Sequence, residues 1–361
     1  MYIAVLNAIS HFLVDWTCVC ALFGCGAEGE ALSLAVILYN TLAFSTQCVI
    51  GALLDSRVRK LRGKTSGQEL ADGAAGVRLC GLAEAAGMIM VLVGAALKWG
   101  LISRVVLFGL GNSLFHVGGG MVTYEKSRGK AAPLGVFVAP GAFGVTLGTL
   151  FPGMLKLAQL LLALVASACI AFYAGYGKTI QKQNYVINAE NTDKTADESP
   201  MPLLPVVLLT AAVAVRAVGG SAAEFTWKQG AAASLLLTLF VFLGKGLGGF
   251  AADRFGAGRM SGVSIPLAAL LTAFLAFSMP ASLAGQFLLN LSMPVTLFLL
   301  HRMLPKDPGL AFGLAASALW PGTIAGMLIK LTGAAAKLLI IACFLLSLGA
   351  IIYSERYRRK K

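Results

Sequence analysis

Gly249-Phe-Ala-Ala-Asp253-Arg254-Phe255-Gly256-Ala-Gly-Arg259 follows one long apolar run, and Gly51-Ala-Leu-Leu-Asp55-Ser56-Arg57-Val58-Arg59-Lys60 follows another, far earlier in the chain. Each stretch has a Gly, an Asp four residues on, and then a basic cluster. Each closes the second apolar run of its half of the chain. An Asp at a helix end can pair with Arg or Lys and with the N-terminus of a neighbouring helix, forming a latch that breaks when helices slide. The plainer alternative is a solvated basic loop that only sets orientation in a membrane. One copy would distinguish little; two at matching positions point to an internal repeat.

Working outward from these loops, apolar runs of span length fall near 3–23, 32–54, 78–97, 100–123, 131–151, 155–175, 203–224, 231–250, 261–279, 282–302, 309–329 and 335–353. A bilayer span takes about 20 apolar residues. The segment from Leu70 to Arg78 reads equally as loop, interfacial helix or the first turn of the third span. Composition agrees, with 58% hydrophobic and 12% charged residues in 361. A soluble domain carries about 25% charge, so a water-soluble globule and a disordered chain are both excluded. The reading is an all-α integral membrane protein of about 12 helices in two pseudo-symmetric six-helix bundles, 1–176 and 202–361, joined by a polar cytoplasmic linker over 177–201. His11 and Asp15 interrupt the first run, which marks it as a retained helix rather than a cleaved signal.

The formal charge is +13, and its placement decides its meaning. With the N-terminus inside, twenty cations lie on the cytoplasmic loops, linker and tail, and five on the other face: Lys98, Lys156, Lys228, Lys330 and Lys337. Both termini are therefore expected in the cytoplasm and the chain in the plasma membrane. The excess is an orientation signal with some attraction to anionic lipid, not a nucleic-acid surface.

On these residues the sequence resembles the major facilitator superfamily, whose second-to-third helix loop carries a G-x-x-x-D-R-x-G-R-R-like signature, repeated more weakly in the other half. Here the second copy matches better, because Ser56 and Val58 replace the basic residue and the Gly of the first. Pro140, Gly141, Gly144 and Gly148 in the fifth span resemble the family's antiporter motif with the Gly-Pro order reversed. Gly144/Gly148 and Gly244/Gly248 also have the GxxxG spacing that lets any membrane helices approach closely. His11-Phe12-Leu13-Val14-Asp15 and Phe115-His116 resemble short elements of fosmidomycin-resistance-type exporters, with Val117 in place of a Pro. The resemblance implies two halves rocking about a central cavity lined by the first, fourth, seventh and tenth helices. It also implies gating loops at Gly51, Asp55, Arg57, Arg59, Gly249, Asp253, Arg254 and Arg259.

Those four helices carry most of the polar groups within the runs. Charge at mid-bilayer costs about 2.5–3.5 kcal/mol on insertion scales, so such groups normally face a cavity or a partner. His11 and Asp15 read as a proton-coupling pair, or else as a structural contact between helices. Asn112, His116, Arg216, Glu224, Asn290 and Thr296 read as cavity residues. Arg216 is the sharpest, since a guanidinium at mid-helix needs an anion: substrate, Glu224 or Asp15. Glu84 reads as a packing or interfacial residue, with a place on a proton path as the alternative, and Lys245 as a side chain snorkelling to the cytoplasm.

Cys18, Cys20 and Cys25 lack metal-ligand spacing, and no phosphate loop or nucleophile elbow is present, so no metal or cofactor is expected. The function read from this pattern is secondary transport of a small solute by a monomer, coupled to a proton. Antiport efflux is preferred and uptake symport is the alternative. A membrane enzyme using His116 and Asn112 on a lipid-like substrate is the competing class.

Overall fold

The computed structural model describes residues 1–62, 69–97, 100–176 and 201–359. Residues 177–200 of the linker expected over 177–201, together with Lys98 and Trp99, lie outside the described residues. Twelve helices among the described residues are long and apolar enough to cross a membrane: α1 (Tyr2–Phe23), α2 (Gly29–Leu61), α3 (Gly73–Ala96), α4 (Leu101–Glu125), α5 (Ala132–Leu150), α6 (Pro152–Gly175), α7 (Leu203–Ser221), α8 (Gly230–Phe255), α9 (Ala257–Phe274), α10 (Met279–Met303), α11 (Pro308–Leu328) and α12 (Gly333–Arg359). The stretch left open before Arg78 is helical and belongs to α3. α2 and α12 outrun their apolar cores and carry their basic clusters as helix.

The repeat seen in the loops recurs in the packing. α1 packs on α4, α5 and α6, and α3 on α4 and α6; α7 packs on α10, α11 and α12, and α9 on α10 and α12. The pattern is the same with every helix advanced by six. Between the two sets, α2 packs on α11 and α8 on α5, again a symmetric pair.

Two local breaks follow directly from sequence. Thr41–Ser45 forms a π-turn within α2, where Ser317 of α11 donates to the Phe44 carbonyl at 2.9 Å and accepts from the Cys48 N–H at 3.3 Å. A π-turn loosens the helical ladder, and a hydroxyl from the next helix takes up the slack. Pro140 has no N–H and splits α5 into Ala132–Val138 and Gly141–Leu150. That split leaves the Phe137 carbonyl free for a side chain.

The paired Asp residues meet the N-termini of neighbouring helices, one of the two kinds of partner expected of them. Asp55 accepts from the backbone N–H groups of Gly309 (2.9 Å) and Leu310 (2.7 Å) at the start of α11. Asp253 accepts from Ala131 (2.8 Å) and Ala132 (3.0 Å) at the start of α5. Each carboxylate thus caps a helix across the interface, where the helix dipole favours negative charge. The motif glycines permit this approach: a Cβ at Gly249 would lie 2.5 Å from the Ala131 carbonyl oxygen, and one at Gly51 would overlap Gly309. Arg57 and Arg254 do not pair with these Asp residues. Arg59 instead pairs with Asp307, Arg254 lies over Phe255 at 5.6 Å, and Arg57 and Arg259 are exposed. Gly256 sits at φ +87°, ending α8, whereas Val58 in the matching position stays helical, so α2 continues through the motif. The mismatch between the copies is therefore a difference in how each helix ends.

Candidate functional site

A cavity of about 650 Å³ lies between the two sets of helices. Its lining runs from Phe312, Leu297 and Gln47 at the inner end to Phe23, Thr149 and Met327, so it extends towards the face opposite the basic loops. The halves meet below it through the Asp caps, through Tyr124 stacked on His301 at 4.2 Å, and through Phe137 against Phe312 at 6.0 Å. Among the described residues, hydrogen bonds between the halves reach no further outward than Trp320–Thr41 (3.1 Å) and Thr146–Thr238 (2.7 Å). The cavity is closed on the basic side.

Its polar centre joins α1, α4, α2 and α5. The i,i+4 pair on α1 puts His11 Nε2 3.2 Å from Asp15 Oδ2. Asn112 donates to Asp15 Oδ1 at 2.9 Å and to the Tyr39 hydroxyl at 3.1 Å. His116 Nε2 lies 2.8 Å from His11 Nε2 and 3.9 Å from Asp15 Oδ1. His11 Nδ1 meets the Phe137 carbonyl freed by Pro140, and His116 Nδ1 meets the Asn112 carbonyl, each at 2.8 Å. His11 and Asp15 are buried at 6% and 8% exposure, enough to withdraw them from bulk water while both touch the cavity.

These partners assign the protons. A backbone carbonyl only accepts, so each imidazole carries its hydrogen on Nδ1. Two bare Nε2 lone pairs would repel at 2.8 Å, so this contact holds a third hydrogen shared between the rings. The arrangement sets two imidazoles within hydrogen-bond distance of each other and beside a carboxylate, groups whose chemistry allows a proton to pass between them. The three ligand atoms also fall within 4.8 Å of one another, a spacing compatible with a metal. The two nitrogens are nevertheless closer than the roughly 3.3 Å separating ligands on a tetrahedral ion with bonds of about 2.0–2.1 Å, and a proton fits them better.

Gly141 lies against this cluster, where a Cβ would stand 2.6 Å from Asp15 Oδ2 and would also collide with His11 Nε2. Gly141→Ala is expected to force the carboxylate and the ring apart and to slow proton-linked flux about tenfold, an order-of-magnitude effect of roughly 1.4 kcal/mol. The purified variant should keep its monodispersity, which separates this effect from misfolding.

The other expected cavity residues divide. Arg216 lines the cavity at 5% exposure and pairs with neither Asp15 nor Glu224. Its Nη1 donates to Ser292 (3.1 Å), Thr296 (3.0 Å) and Ser347 (3.5 Å). Thr296 is fully buried behind Arg216 and positions it without lining the cavity. Asn290 is turned into the α8–α10 contact, donating to the Gln286 carbonyl at 2.8 Å. Glu224 is exposed beyond the end of α7, because that helix stops at Ser221. Lys245, expected to snorkel away, lines the cavity instead. Glu84 is fully buried off the cavity beside Tyr173, at 3.2 Å. Gly144 and Gly148 pack on α1, and Gly244 and Gly248 on α10, as close-approach positions. Tyr39, the Phe137 carbonyl and His301 were not singled out from sequence; Pro140 was the one available signal for the carbonyl.

The chain has twelve spans, with crossed helix caps closing one end of a central cavity. It matches the solved structure of a major facilitator superfamily transporter, FucP, in the outward conformation, with TM-score 0.60, 11% identity and coverage of 98% of both chains. A second structure, of the E. coli fucose:proton symporter FucP, gives 0.57, 11% and 97% of both. The chain therefore has the major facilitator superfamily fold. No protein-family model and no curated protein matches the sequence.

Proposed function

We propose that this chain is a proton-coupled secondary transporter of a small solute, working by alternating access from the cell membrane with both termini in the cytoplasm. One observation carries the proposal: a buried His–Asp–His cluster, its two imidazole nitrogens 2.8 Å apart, on the wall of a cavity that is open to one face and sealed at the other. A titrating group in such a place can bind a proton from one side and release it to the other as the halves rock. With the basic loops inside, the geometry described is outward-facing. The membrane-enzyme reading loses support because His116 has both nitrogens engaged, leaving none free for acid–base work on a substrate.

The experiment is a solute panel on proteoliposomes loaded with a pH-sensitive dye. The reading expects at least one solute to drive a change in internal pH that is absent from empty liposomes. Solute movement with no proton movement would contradict it. The sign of the change separates the antiport read from the α5 motif from symport.

A further inference from the structure

The wall supplied by the last six spans carries two cations and no carboxylate of its own among the described residues. Arg216 has three hydroxyl partners and, among the described residues, no carboxylate within ion-pair distance. Lys245 lines the same cavity and makes no hydrogen bond or ion pair among the described residues, the Asp15 carboxylate being the negative charge that acts on it. Of the titratable groups lining the cavity, Asp15 is the one carboxylate, and His11, His116 and Asn112 already engage it; Tyr39 is spent on Asn112. Hydroxyl dipoles orient a guanidinium but do not neutralise it, and a cation withdrawn from water is costly without a counter-charge.

Resting on the transport reading above, we propose that the solute is a small organic anion whose carboxylate or phosphonate head binds Arg216 and Lys245. Val213, Leu237, Val241 and Leu297 give it an apolar body. A cavity of about 650 Å³ suits a solute of modest size. Proton and anion then bind together. A proton on the histidine pair adds positive charge to the space the anion enters, and by reciprocity the anion favours the proton. Opposite charges sharing one cavity make symport the consistent mode; exchange would require them to compete.

The test measures binding of benzoate, phenylphosphonate and uncharged benzamide to the full-length protein by calorimetry. At least one anion should bind ten times more tightly than benzamide and take up protons from solution as it does so. Lys245→Gln, which removes no hydrogen bond, and Arg216→Gln should each erase that preference, and Arg216→Lys should retain part of it. The Lys245 variant suffices if Arg216→Gln does not fold. Equal binding of all three probes, no binding of either anion, or a preference that survives Lys245→Gln overturns the proposal. Anion binding without proton uptake overturns the symport step. If the anion preference fails while the liposomes still show solute-driven proton movement, the anion site is wrong and transport stands.

Discussion

Asp15→Asn should lower proton-driven flux at least 100-fold while leaving the protein folded. The shared proton makes the two rings a cation, and Asp15 is the carboxylate beside them, at 3.2 and 3.9 Å. At an effective dielectric near 20, removing a charge at such a distance forfeits on the order of 4–5 kcal/mol of attraction. Each 1.4 kcal/mol is a factor of ten, so even half of that loss empties the proton site at working pH. Asn keeps the shape and can still accept from Asn112, which is why a folding defect is not expected. His116→Gln should act similarly, because it removes the second acceptor of the shared hydrogen. Flux in proteoliposomes with an imposed pH gradient measures both. Glu84→Gln, off the cavity, should keep native coupling.

Replacing Asp55 and Asp253 by Ala together should open the basic side. Each carboxylate accepts two backbone N–H bonds across the interface, at 2.7–3.0 Å. Losing a charged acceptor from such a cap costs about 2–4 kcal/mol in the closed state alone. An equilibrium between two packed states then moves by a factor of roughly 30 to 1,000 per cap. Hydrogen exchange reads this directly. The amides of Ala131, Ala132, Gly309 and Leu310 should exchange faster by that factor, with helix centres unchanged. Unaltered exchange would mean that the caps are incidental.

The helices were legible because an apolar run of membrane length has few alternative folds. The latch was legible because its Asp recurs at a matching position. A neighbouring helix N-terminus was among its expected partners, but which helix supplies it was not legible, since backbone N–H groups at a helix start leave no signature in residue identity. Periodicity placed His11 with Asp15 and Asn112 with His116 on shared faces, and the two faces do meet. It could not fix the depth or rotation of a helix against its neighbours. Thus Asn290 turned to α8, Thr296 sat behind Arg216, and Glu224 fell beyond a helix that ended early. Lys245 was misjudged for the same reason: its side chain is long enough to reach either water or the cavity, and packing chose the cavity. Pro140 is the instructive case, because the helix break it makes parts the Phe137 carbonyl from the Gly141 N–H and leaves it for His11.

The central claim is that a proton on the His–Asp–His cluster governs which face the cavity opens to. Pulsed electron resonance distances in lipid nanodiscs test it, with one spin-label pair at Lys60 and Arg302 on the basic side and another at Glu28 and Lys228 on the opposite side, all exposed positions. As pH is stepped from 9 to 5 in the native protein, one distance should lengthen while the other shortens, and Asp15→Asn should hold both fixed. Distances that ignore pH in the native protein, or that respond identically in the variant, would contradict the account.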